Sequence, residues 1–83
     1  MQNFDRFDYG APAELFVTNP GKRIIYKRFG TAAEAVRFAI EELAPRSLGS
    51  AHLEVDEGRF GAQEIQHLYA NAGYPLRRIA RDR

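Results

Sequence analysis

The chain has no cysteine. Disulfides, thiolate chemistry and cysteine-ligated zinc are therefore excluded, and a reducing compartment, the cytoplasm, is the expected setting. It also lacks a charge excess. Twelve basic against eleven acidic side chains leave a net +1, whereas a dedicated nucleic-acid binder carries a basic surplus. No run approaches the ~18–20 apolar residues of a membrane span. The opening MQNFDRFDYG carries acids and no long apolar stretch, so neither a signal peptide nor a membrane partner is expected. Repeats and low-complexity tracts are missing. The glycines never fall into GxGxxG or phosphate-loop spacing, there is no GxSxG elbow, and Asp56-Glu57 lacks the oxygen-ligand spacing of an EF-hand. What remains is one domain of 83 residues with an ordinary apolar content of 45%, able to bury a small core.

The clearest element is Thr31–Leu43, TAAEAVRFAIEEL. Thr31 is an N-cap residue and Glu34 stands three positions on, the capping-box spacing. Val36, Ala39, Ile40 and Leu43 then recur at helical intervals as an apolar stripe. Pro45 ends the helix, and Arg46–Ser50 is expected to be a loop. A second helix is expected over Ala62–Ala72, with Gly61 as N-cap, Phe60 and Ile65 as a hydrophobic staple, and Ile65, Leu68, Tyr69 and Ala72 as its stripe. Gly73 suits a left-handed C-terminal position, from which Tyr74 covers Tyr69, and Pro75 stops the helix.

Three strands flank these helices. Ala13–Thr18 alternates, with Leu15 and Val17 on one face and Glu14 and Phe16 on the other. Asn19-Pro20-Gly21-Lys22 has the type II turn pattern and leads into Arg23–Phe29. That strand places Arg23, Ile25, Lys27 and Phe29 against Ile24, Tyr26 and Arg28, and both faces carry apolar groups, so the pattern leaves open which one meets the helices. Ala51–Val55 is the third, with Leu53 and Val55 opposed to His52 and Glu54 and a tight turn at Asp56-Glu57-Gly58. The predicted fold is α+β, of order ββαβα. It has a three-stranded antiparallel sheet with two helices on one face, and the third strand lies antiparallel beside the first. Residues 1–12 form an aromatic arm, 13–75 the domain and 76–83 a basic tail.

The run VDEGRFGAQEIQHLYANAGYPLRR, with the capped helix upstream, resembles small single-domain bacterial proteins of an α-proteobacterial type. The marks are Gly58-Arg59-Phe60, Glu64-Ile65, Leu68-Tyr69 and Tyr74-Pro75-Leu76. That group has no assigned activity, so the resemblance implies a single compact domain and carries over no catalytic residue.

Three features bear on function. The first is a surplus of apolar groups. With the helices on one sheet face, Phe16 and either Ile24 with Tyr26 or Ile25 with Phe29 are left on the other. Phe38 lies roughly 160° from the centre of its helix's stripe, at 100° per residue. In the arm, Phe7 and Tyr9 either tuck against the domain or dock on another chain. Phe16, Tyr26, Phe38, Phe7 and Tyr9 are accordingly the expected interface residues of a homodimer or protein-binding module. The second feature is basic charge. Lys22, Arg23, Lys27 and Arg28 around Tyr26, with Arg77 and Arg78 near the C-terminus, give nucleic-acid binding as the alternative. The strand cations, however, divide between two faces, and charged edge strands also serve to prevent aggregation. Leu76, Ile79 and Ala80 among the C-terminal arginines make a basic amphipathic turn too short to hold a membrane.

The third feature is chemistry, and it is sparse. Glu64-x-x-His67 is one copy of a motif that needs several converging helices. His52 beside Glu54, with Ser47 and Ser50 nearby, lacks an orienting acid in a recognisable arrangement. No enzymatic activity, cofactor or metal is expected.

Overall fold

The computed structural model describes residues 7–18, 24–71 and 73–76. The strands are β1 (Ala13–Thr18), β2 (Ile24–Phe29), β3 (Ala51–Val55) and β4 (Gly58–Gly61). The helices are α1 (Ala32–Glu41), α2 (Pro45–Gly49) and α3 (Ala62–Ala70). The fold is α+β with an antiparallel sheet, and that sheet has four strands, in the order β2-β1-β3-β4. The predicted three-stranded sheet is thus one strand short. β4 pairs Leu53 with Phe60 and Val55 with Gly58. It escapes a sequence reading because two of its four residues are glycines, which are depleted in strands. The placement of β3 beside β1 matches the expected antiparallel neighbour. The type II turn at 19–22, Arg23 and Ala72 lie outside the described residues.

A third helix replaces the loop expected at Arg46–Ser50. Ala44 is extended and caps α2, and Pro45 occupies its first turn. Proline ends one helix and suits the first position of the next, since its missing N–H has no partner there in any case. α1 stops at Glu41, two residues short of Leu43. Thr31 caps it, its hydroxyl accepting from the Glu34 N–H at 3.2 Å.

The buried stripe of α1 also differs from the predicted one. Ala32, Ala33, Ala35, Val36 and Ala39 are buried, whereas Ile40 and Leu43 are only partly so. Alanines let α1 lie close against the sheet. There it covers Leu15, Val17, Leu53 and Val55, with Ile65 and Leu68 of α3 completing the core. Each large side chain so buried contributes about 1.5–3 kcal/mol before ordering entropy is subtracted. Phe38 projects from the flank of α1 toward β2, where its ring lies 5.5 Å from that of Phe29. It is half-buried and lines a groove with Phe29, Glu34, Arg37, Glu41 and Glu42.

Gly61 caps α3 as expected. It has no side chain to offer, so the bond runs one way: its N–H donates to Glu64 Oε1 at 3.0 Å. The C-terminal end differs from the Schellman expectation. Gly73 is not in the left-handed region. Asn71 is extended instead, and its side-chain oxygen accepts from the Gly73 N–H at 2.7 Å. Tyr74 still reaches Tyr69, with ring centroids 5.3 Å apart.

The described part of the arm, from Phe7 onward, folds onto the domain. Phe7 meets Phe60 edge to face at 5.2 Å, and Tyr9 meets Tyr74 at 5.6 Å. The Tyr9 hydroxyl donates to the Leu68 carbonyl, and the Tyr9 carbonyl accepts from the Ala33 N–H. Among the described residues no helix is long and apolar enough to cross a membrane.

Candidate functional site

Residues directly opposed across an antiparallel pair share a face of the sheet. The register therefore settles the two faces of β2. Lys27 opposes Leu15 and Ile25 opposes Val17, which sets Ile25, Lys27 and Phe29 on the helix side. Ile24, Tyr26 and Arg28 stand on the open side, with Thr18, Phe16 and Glu14 as their opposites.

The open face is laid out in rows that run across the strands. One row is aromatic: Tyr26 opposes Phe16, and Phe16 opposes His52. The Phe16 ring stacks on His52 with centroids 4.8 Å apart and planes 12° from parallel, and it tilts against Tyr26 at 5.1 Å. The adjacent row is charged. Arg28, Glu14, Glu54 and Arg59 follow one another across β2, β1, β3 and β4. Its signs run plus, minus, minus, plus, so the row is neutral. Glu54 Oε2 takes Arg59 Nη2 at 3.2 Å and His52 Nε2 at 3.3 Å. Glu14 Oε2 accepts from the Tyr26 hydroxyl at 2.9 Å. That hydrogen bond, then desolvation and the Glu14 charge, push the Tyr26 phenol above its ordinary value of 10.0, against a smaller opposing effect of Arg28.

β2 is the least covered element. Only Phe29 of its six residues is half-buried. Ile24, Ile25 and Tyr26 are consecutive, and they are 60%, 46% and 51% exposed. Among the described residues no strand pairs with the outer edge of β2. On the helix side Lys27 Nζ lies over the Phe38 ring at 5.4 Å and the Phe29 ring at 5.7 Å, a cation–π contact with the two rings that also line a groove beside α1.

The expected interface residues thus fall into three places. Phe16 and Tyr26 meet on the open face. Phe38 is at the β2–α1 groove. Phe7 and Tyr9 pack at the far end, against Phe60, Tyr74 and α3. Of the expected basic group, Lys27 and Arg28 stand on opposite faces. Lys22, Arg23, Arg77 and Arg78, with Ile79 and Ala80, lie outside the described residues. Sequence reasoning placed His52 beside Glu54 but missed its stacking on Phe16. It also missed Arg59 as part of the face, because that needs β4 to be seen as a strand.

Two of the candidates for chemistry make structural bonds. Glu64 is spent on the Gly61 N–H. The Ser50 hydroxyl donates to the Thr18 carbonyl at 2.5 Å, with the Ser47 carbonyl 3.2 Å away as a second acceptor within reach. Among the described residues no three His, Asp or Glu side chains are grouped to hold a metal.

Compared with known proteins, the chain matches no family model, no curated protein and no solved structure. The resemblance along 55–78 therefore brings no function with it, and function has to be argued from the geometry.

Proposed function

We propose that the protein is a small interaction module that works by contact, as a homodimer, in the reducing setting suited to a chain without cysteine. The observation that carries this is β2: Ile24, Ile25 and Tyr26 stand exposed in succession on a strand whose outer edge is unpaired among the described residues. Such a strand offers apolar surface on both faces and a row of backbone donors and acceptors, which is what a protein partner can use. The neutral charged row of the open face supports a protein partner over a polyanion. A phosphate backbone would bring its charge against Glu14 and Glu54 as well as against the arginines.

The test is the mass in solution, by light scattering behind a sizing column, across a concentration series at moderate and high salt. The expected mass rises with concentration to twice that of the 9.4 kDa chain, and the rise is retained at high salt because apolar contacts are not screened. A single-chain mass at every concentration overturns the homodimer. Salt-sensitive binding of short oligonucleotides, without self-association, would favour the nucleic-acid alternative built on Lys22, Arg23, Lys27 and Arg28 with Arg77 and Arg78.

A further inference from the structure

We infer that the partner on β2 is a second copy of β2, paired edge to edge and antiparallel, with the two Tyr26 residues facing each other on the two-fold axis. This rests on the homodimer reading and gives its geometry. A two-fold axis between antiparallel edges stands normal to the sheet, so it keeps both helix layers on one side and opposes like faces. Each allowed register then centres on one residue that faces its own copy. Within β2 only Tyr26 and Lys27 permit more than a single flanking pair, and Ile25 is the one apolar centre that permits a single pair.

Charge decides among them. Centring on Lys27 brings two ammonium groups face to face, which is destabilising. Centring on Ile25 pairs only Ile24 to Tyr26 within the strand and leaves Lys27, Arg28 and Phe29 beyond it. Centring on Tyr26 opposes Ile24 to Arg28 and Ile25 to Lys27. Each cation then lies beside an aliphatic side chain of the other copy, where its methylene stem can pack while the charge stays in water. No like charges are opposed. The resulting eight-stranded sheet joins the two aromatic rows end to end, His52–Phe16–Tyr26 meeting its symmetry mate through the tyrosines.

The size of the contact sets its strength. One six-residue edge falls at or below the low end of stable interfaces, about 1,200 Å² of total buried surface. The association is therefore weak, and the dimer dissociates on dilution.

Because the chain contains no cysteine, a single introduced thiol reports its own neighbour. Three variants, Tyr26→Cys, Lys27→Cys and Phe16→Cys, are oxidised under identical conditions, and covalent dimer is followed by non-reducing electrophoresis. The mass of the unaltered chain is measured alongside. The expected result is a two-chain mass with Tyr26→Cys linking at least tenfold faster than the other two. Faster linking through Lys27→Cys overturns the register. Faster linking through Phe16→Cys overturns edge pairing in favour of face-to-face packing. A two-chain mass with no linking at any of the three places the contact elsewhere and overturns this geometry while the homodimer stands. A single-chain mass removes the homodimer itself.

Discussion

The Tyr26 hydroxyl reaches across the β1–β2 pair to Glu14, 2.9 Å from Oε2, at the junction of the aromatic and charged rows. The carboxylate holds the phenol in its protonated form and raises its pKa. The native state therefore binds this proton more tightly than the unfolded chain does. The contribution is whole below the ordinary phenol value of 10.0 and is lost as pH rises through the raised native value. Glu14→Gln is expected to lower the Tyr26 titration midpoint toward the ordinary value, read from the ring carbon shift by NMR. An unchanged midpoint would mean that this hydrogen bond does not hold the proton.

Tyr74→Phe tests the contact between the end of α3 and the start of α1. The Tyr74 ring is 7% exposed, and its hydroxyl donates to the Ala33 carbonyl at 2.8 Å. The helical geometry of α1 also gives that carbonyl the N–H four residues on, so the variant leaves no orphan acceptor. The loss should be about 1 kcal/mol, seen as a melting temperature about 4–8 °C lower in a domain of this size.

Ala39→Leu tests the close approach of α1 to the sheet. Ala32, Ala35, Val36 and Ala39 are fully buried. A larger side chain there must overfill the core and displace α1 from its neighbours, at about 1–3 kcal/mol. Ile40→Leu, on the partly buried flank, should change stability by less than half as much. Denaturant unfolding compares the two, and equal effects would show that α1 has slack against the sheet.

Asp56 sits at φ 55° in the two-residue loop between β3 and β4. This left-handed conformation is free for glycine and costly for most other residues. Aspartate is among the few residues that tolerate this region, so in Asp56→Gly the small strain relief is offset by a freer unfolded chain and stability is expected to change by less than about 0.5 kcal/mol, whereas Asp56→Val is expected to lower it by about 1 kcal/mol or more. Chemical denaturation midpoints compare the two.

Much of the frame was legible in the sequence, and the failures have physical causes. Alternation in Ala13–Thr18 and Ala51–Val55 located two strands and their buried faces, because one side of each is covered. The Thr31 and Gly61 caps located two helix starts. β2 could not be oriented from its own pattern, since five of its six residues are exposed and neither face is selected for burial. Only its register against β1 resolves it. Pro45 both stops one helix and begins α2, and the pattern shows only the first. Phe38 projects away from the α1 stripe, yet its ring reaches Phe29 across the flank of the helix. The buried alanines of α1 carry little weight in a hydrophobic pattern. The rows of the open face were the least visible, since each joins residues from three or four strands far apart in the chain.

The bonds around Tyr9 and Tyr74 also bear on the order of events during folding. Tyr9 reaches Leu68, 59 positions away, and Tyr74 reaches Ala33 across 41. Bonds of such long sequence separation carry a large loop-closure cost, so they are expected to form late in folding. They then act as a latch on the finished molecule. Removing the Tyr9 hydroxyl should speed unfolding while leaving the refolding rate nearly unchanged, a separation that stopped-flow mixing resolves in one chevron. The lifetime of the native state is thus set in part by a residue of the arm, outside every helix and strand.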